Sequence, residues 1–387
     1  MSRKANYVAL GLVLSAAIGL IAALKLWEPS VSSQSRDSIQ LSAALNSEDD
    51  DKGYARAYAP RLFSFPQDHG PHPQFRTEWW YFTGNLDDRN GRPFGYQLTF
   101  FRICMSSKPV RSVSPWQTNE FYMAHFALSD ITGRKFHSHE RFNRAAMGLA
   151  GAKEHTLHVW LDNWSVEPQT KNIFPLRLRA TQDDIAIDLM LEQGKPPVLQ
   201  GDQGLSQKSA EPGNASYYYS LTRMPTSGTI HIRDQRFAVH GSSWMDQEWS
   251  TSALGDDQVG WDWYSLQLSD QREIMFYRLR KRDGSTDIYS AGTLVSPDGT
   301  VKRLGHQDVE IAALSHSKSP RSGALYPARA GLNLPKEELV LEVAPLLADQ
   351  ELNVSVRYWE GAIAVRGTAQ GVPVNGRGYL ELTGYAE

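Results

Sequence analysis

Two stretches of this chain set carboxylates among large aromatic residues. One is Glu78-Trp79-Trp80-Tyr81-Phe82-Thr83-Gly84. The other runs from Ser243-Trp244-Met245-Asp246-Gln247-Glu248-Trp249 to Gly260-Trp261-Asp262-Trp263-Tyr264. A carboxyl group held against apolar ring faces loses solvation, so its ionised form is disfavoured. It then becomes a usable proton donor near neutral pH. Asp246 is the candidate acid. Glu248, two residues on, shares its face if the stretch is extended, and is the candidate supporting group or base. The rings of Trp79, Trp80, Trp244, Trp249, Trp261 and Trp263 are candidates to line a pocket for a long apolar ligand. The same residues also suit plain packing, with the acids paired to Arg.

A second group of interest is Asp68-His69-Gly70-Pro71-His72. Two His and an Asp this close could ligate a metal, but the loop supplies no clear further ligand. Hydrogen bonding of the His side chains to nearby backbone or to Glu78 is the preferred reading, with His69 and Glu78 kept as candidate ligand-contacting residues. His240 precedes Gly-Ser-Ser, yet no G-x-S-x-G elbow follows, so a serine hydrolase is poorly supported. The one cysteine, Cys104, lies in an apolar strand pattern with no adjacent base and reads as a buried thiol. No nucleotide, flavin or strong metal motif is present, and no cofactor is expected.

The elements that must position these groups are strands. Gly95–Arg102, Phe121–Ser129, Leu157–Trp164, Ile185–Leu191, Tyr217–Thr222, Trp263–Leu268, Glu273–Arg280 and Leu352–Trp359 alternate or run apolar and break at Gly, Asp or Pro. Asp87–Gly91 and Asp130–Gly133 read as hairpin turns, and 194–216 as the clearest loop. The segment from Pro335 opens like a helix but is rich enough in β-branched residues to be a strand. An aromatic-opened strand, a turn and an aromatic strand ending in Arg occur at Trp79–Arg102 and again at Trp261–Arg280, an internal echo that suggests duplication. The spacing predicts an all-β chain of two barrels or sandwiches, with domains over 58–240 and 241–387. With 40 basic and 43 acidic residues the net charge is −3, which gives no field for nucleic acid.

Arg3 and Lys4 precede an apolar run from Tyr7 to Leu24, closed by Lys25. As a helix it spans roughly 27 Å, close to the hydrocarbon thickness of a bilayer. Basic residues in front place the N-terminus in the cytoplasm and send the rest across. No cysteine follows and no small-x-small site follows Leu24, so residues 1–27 read as an uncleaved signal anchor in preference to a cleaved signal peptide. Residues 28–57, with Glu48-Asp49-Asp50-Asp51, read as a solvated tether. The expected location is the bacterial cell envelope, with the globular part in the periplasm, anchored to the inner membrane or secreted.

Phe65-Pro66, Asp68-His69-Gly70, His72-Pro73 and Arg76-Thr77-Glu78-Trp79-Trp80-Tyr81 together resemble the AttH/carotenoid 1,2-hydratase-like family of lipocalin-like proteins. So do Ser243–Trp249, Gly260–Trp263, Tyr358-Trp359-Glu360-Gly361 and Gly378–Tyr385. The resemblance runs from about residue 60 to the C-terminus. It implies two lipocalin-like β-barrel domains, in which such Trp residues commonly close a barrel base. The family's named activity is hydration of a terminal carbon–carbon double bond in acyclic carotenoids. Exported members are labelled secreted hydrolases and are commonly encoded beside ABC-type export systems. An Asp is the proton donor in the hydratases, with His, Trp and Tyr around it. By motif position Asp246 matches that Asp, Trp244 stands at the Tyr, and Tyr217 and Tyr219 stand at the His and Trp.

Three readings follow. The first is an exported hydratase or hydrolase that acts on an apolar isoprenoid or lipid-like molecule by Asp acid catalysis. The second is a lipid-binding accessory protein of an ABC-type export system. The third is a structural subunit without a ligand. Carboxylates among aromatics favour the first, whereas the tether and anchor suit the second equally.

Overall fold

A computed structural model describes residues 39–40, 52–108, 114–252 and 254–385. The expected signal or anchor segment, residues 1–27, lies outside the described residues, as does most of the tether. No helix among the described residues is long and apolar enough to cross a membrane. What is described is all-β, and its strands form two large sheets.

A two-residue strand, β1 (Ile39–Gln40), comes first. The first sheet begins with β2 (Thr77–Asp88), β3 (Pro93–Cys104), β4 (Glu120–Asp130), β5 (Lys135–Arg144), β6 (Ala150–Ala152) and β7 (Val159–Leu161). It continues with β8 (Trp164–Pro168), β9 (Leu176–Gln182), β10 (Ile185–Leu191), β11 (Val198–Leu199), β12 (Leu205–Gln207), β13 (Ala215–Ile232) and β14 (Gln235–Ser250). The second sheet holds β15 (Gln258–Leu268), β16 (Glu273–Lys281), β17 (Ala291–Val295), β18 (Val301–Gly305) and β19 (Glu310–Lys318). It ends with β20 (Leu325–Leu334), β21 (Leu339–Pro345), β22 (Glu351–Asn353), β23 (Val356–Ala369) and β24 (Val372–Leu382), and β1 pairs parallel with β23.

The two sheets share one wiring. In the first the order is β5-β4-β3-β2-β14-β13-β10-β9-β8-β7-β6, and in the second β18-β17-β16-β15-β24-β23-β21-β20-β19. Each therefore starts as a meander and then pairs its first strand with its last. The first sheet curls nearly into a barrel, bringing β5 beside β6. The echoed segments occupy equivalent places: β2–β3 and β15–β16 are the opening hairpins of their sheets. The first sheet ends with β14 at Ser250 and the second opens with β15 at Gln258. Asp246 and Glu248 are thus on the closing strand of the first sheet.

Turn chemistry behaves as the sequence implies. Asp88 Oδ1 accepts the N–H groups of Asn90 and Arg92, and Gly91 takes φ 76°, a conformation that suits glycine. Asp130 Oδ1 accepts the N–H of Gly133. The segment expected as a loop, 194–216, carries two short strands, because β11 and β12 pair with β13. The start at Pro335 is a single 3₁₀ turn that passes into strand β21. Cys104 is buried.

Period-two alternation sends one set of side chains inward and the other toward the neighbouring sheet. Trp80, Phe82, Phe100, Phe126, Trp164 and Trp249 fill the interior of the first sheet. Tyr264, Leu266, Phe276, Ile363 and Leu380 belong to the core of the second. Between the sheets lies a further core of Tyr81, Tyr218, Trp244, Trp263, Met275, Tyr277, Ala362 and Tyr379. The strands at that contact are buried on both faces, and a cavity lies within it.

Candidate functional site

Where the outer faces of β2, β3, β13 and β14 meet those of β15, β16 and β24, the chain leaves a cavity of about 100 Å³. That is well above the ~10–15 Å³ that one water needs. Its walls include Trp79, Tyr81, Lys208, Tyr218, Asp246, Glu248, Trp261, Trp263, Tyr277 and Glu381.

Asp246 is buried and accepts three hydrogen bonds. Ser220 Oγ donates to Oδ1 at 2.5 Å, Trp244 Nε1 to Oδ1 at 2.8 Å, and Tyr218 Oη to Oδ2 at 2.7 Å. Each donor is itself placed by the fold. Ser220 stands directly opposite Asp246 across β13 and β14. Gln200 Nε2 donates to the Ser220 oxygen and Thr293 Oγ1 to Gln200 Oε1, which commits the Ser220 proton to Asp246. Trp263 Nε1 donates to the Tyr218 oxygen in the same way, at 3.1 Å. Burial pushes the Asp246 carboxyl up to about 7; its three donors oppose the rise and the charge of Glu248 adds to it. At neutral pH the group is divided between acid and carboxylate.

Glu248 is differently held. Lys208 Nζ sits 2.9 Å from Oε1, and the Ser216 hydroxyl donates to the same oxygen. Burial works against the charge on Lys208, but Glu248 and Tyr277 together outweigh it and keep the amine cationic. The ammonium also stands 4.2 Å from the Tyr277 ring centroid, a cation–π distance.

Strand parity sorts the candidate residues into two places. Asp246, Glu248, Trp79, Trp261 and Trp263 line the cavity, and Trp244 lies behind Asp246 as its donor. Trp80, Trp249, Tyr217, Tyr219, His69 and Glu78 lie on the other face, in or beside the interior of the first sheet. There Tyr219 Oη meets His69 Nδ1 at 2.6 Å, and Trp80 Nε1 donates to the His69 carbonyl. His72 stacks on Trp249 at 3.6 Å and bonds Glu78 Oε1 through Nδ1 at 2.8 Å. Glu78 is also held by Arg102 and Gln247. Asp262 has the Arg pairing that the packing reading foresees, with Arg278 and Arg280.

Sequence reasoning passed over Tyr81, Lys208, Tyr218, Tyr277, Glu360 and Glu381. Tyr218 sits between the two tyrosines that the resemblance singled out, and a one-residue shift in parity separates them. Lys208 was hidden in a segment read as loop. Glu360 and Glu381 stood inside the quoted motifs, but nothing local connects them to Asp246.

The AttH-like family profile matches residues 56–385, and the chain belongs to this family. A Nitrosomonas europaea protein assigned to AttH is 34% identical. The alignment covers 84% of this chain and 99% of that one, with a TM-score of 0.74. Kievitone hydratase from Nectria haematococca shares the fold at 16% identity, with 86% and 96% of the two chains covered and a TM-score of 0.63. Among curated proteins none matches this chain.

Proposed function

We propose that this chain is a hydratase of an apolar isoprenoid- or lipid-like alkene, with Asp246 as the proton donor. The observation that carries the reading is a buried carboxyl poised at about 7 on a cavity wall, among aromatic faces. Protonating an alkene carbon needs an acid that still holds its proton at working pH, which this environment provides. The faces of Trp79, Trp261 and Trp263 suit the carbocation that results. The fold shared with kievitone hydratase supports the same reaction class. In this reading both sheets are lipocalin-like barrels packed on their outer faces. The chain is exported and anchored to the inner membrane through residues 7–24, with the globular part in the periplasm.

The carrier reading, a lipid-binding accessory protein of an ABC-type export system, calls for space for an acyl chain. The interior of the first sheet is instead filled by Trp80, Phe82, Phe126, Trp164 and Trp249. The inter-sheet cavity has room for a reacting end rather than a whole lipid.

The test is to incubate the full chain in detergent with a membrane lipid and carotenoid extract and to follow species by mass spectrometry. A product heavier by one water, reduced about 10²–10⁴-fold in Asp246→Asn, is expected. Cleavage into two fragments would make the protein a hydrolase. A ligand recovered unchanged would make it a carrier.

A further inference from the structure

The second-sheet wall of the cavity carries a feature that acid catalysis by Asp246 leaves unused. β23 and β24 set Glu360 directly opposite Glu381 in register. Cross-strand neighbours of this kind lie ~4.5–5.5 Å apart at Cβ. Glu360 has no exposed surface; Tyr81 Oη donates to its Oε1 at 2.6 Å, while Oε2 meets no donor. Glu381 accepts a 2.6 Å hydrogen bond from Trp261 Nε1 and reaches the cavity. Among the described residues neither carboxyl forms an ion pair. Glu360 is fully buried and Glu381 half-buried, and two carboxylates this close without a cation disfavour double ionisation because their charges repel. A single proton between them supplies the donor that Glu360 Oε2 lacks.

We propose that Glu360 and Glu381 hold one proton between them and form a second proton-exchange site on the cavity, which takes the proton released when water attacks. The catalytic half of this assignment rests on the hydration reading. Asp246 gives its proton to one alkene carbon as the π pair forms the C–H bond. A lone pair of water then bonds to the cationic carbon. The surplus water proton passes to the Glu381 oxygen, leaving the alcohol and a fully protonated pair. Proton return to Asp246 through solvent closes the cycle, with one water consumed.

The surroundings agree. Burial pushes Glu360 far above the carboxylate range, and the charge of Glu381 reinforces the rise. Burial raises Glu381 to about 7 against the hydrogen bonds from Trp261 and Glu360, with Glu248 adding a little. The titratable groups that face the pair are Tyr81 from β2, Asp246 and Glu248 from β14 with Lys208 beside them, and Tyr358 and Tyr379 from β23 and β24. Burial keeps the three tyrosines neutral. Glu248 differs from the pair in having a cation beside it, Lys208 Nζ at 2.9 Å.

Infrared titration of the ligand-free full chain tests the shared proton. In an Asp246→Asn background, a carbonyl band of a protonated carboxyl should persist on the alkaline side of about 7, the value to which burial raises Glu381, and vanish there in Glu360→Gln. Absence of that band, or its persistence in Glu360→Gln, overturns the shared proton. On whichever extract alkene the wild type hydrates, Glu381→Gln should lower turnover at least ~100-fold and abolish the acidic limb of the pH profile. Full activity in Glu381→Gln, or an acidic limb that survives in it, overturns the catalytic half. If the wild type yields no product, the hydration reading falls and takes the catalytic half with it, while the infrared band decides the shared proton alone.

Discussion

Burying Asp246 without a cation costs folding free energy whenever its carboxyl is ionised. Its folded pKa of about 7 lies above the ordinary 3.8, so the folded state holds this proton more tightly than the unfolded chain. Stability from this group is therefore full below the ordinary value, falls as pH rises between the two, and is lowest above about 7. At ~1.36 kcal/mol per unit the difference is of order 4 kcal/mol. Asp246→Asn removes the charge and keeps an acceptor for Ser220 and Trp244. Urea unfolding at about pH 8 should find this variant more stable than wild type by ~1–4 kcal/mol, with the gain gone at about pH 4. A variant less stable at alkaline pH would show that the carboxylate is better solvated than its three donors imply. The proposed acid is also a weak point of the fold at alkaline pH.

On β2 and β3 the opposite arrangement appears, a buried acid that is fully compensated. Glu78 and Arg102 have no exposed surface and stand opposite one another, with Arg102 Nε 3.3 Å from Glu78 Oε2. Arg102 also donates to the carbonyls of His72 and Phe75 at 2.8 and 2.9 Å, tying the segment before β2 onto the sheet. Burial alone would raise Glu78, but His72 and Arg102 outweigh it and hold the carboxyl low. Burial alone would lower His72, but Glu78 and Asp68 outweigh it and raise it. The Glu78 contribution is present above its ordinary value of 4.5 and is lost as pH falls below its folded value. The His72 contribution is present below its ordinary 6.5 and is lost as pH rises past its folded value. Removing the guanidinium takes a cation from buried Glu78 and leaves it to His72 and Gln247. Arg102→Met should therefore lower stability by ~3–5 kcal/mol in urea unfolding near neutral pH. A loss below ~1 kcal/mol would mean that water reaches Glu78.

At the scale of the whole molecule, the cavity exists because two sheets approach closely, and Gly95 is one place where they touch. A Cβ on Gly95 of β3 would stand 2.6 Å from the Ala362 Cβ of β23 and 2.9 Å from Tyr379 Oη. Gly95→Ala should force the sheets apart, cost ~1–3 kcal/mol and disturb a cavity built from both. Adding Ala362→Gly should recover most of the loss, a coupling that a double-mutant cycle in urea would read. Additive losses would place the strain elsewhere. The sequence by itself determined the strands, the hairpin turns at Asp87–Gly91 and Asp130–Gly133, the acid–aromatic motif at Asp246 and the family, because alternation, turn chemistry and motif spacing are local properties. It could not determine which face of β2, β13 and β14 meets the interior and which meets the second sheet. Those strands are buried on both faces, so their apolar pattern carries no parity. Tyr217, Tyr218 and Tyr219 therefore read alike, yet only Tyr218 reaches Asp246. Only the tertiary structure decided that Glu381, with Glu360 opposite it, faces the same cavity as Asp246, because register between distant strands and the packing of one sheet on another are long-range facts.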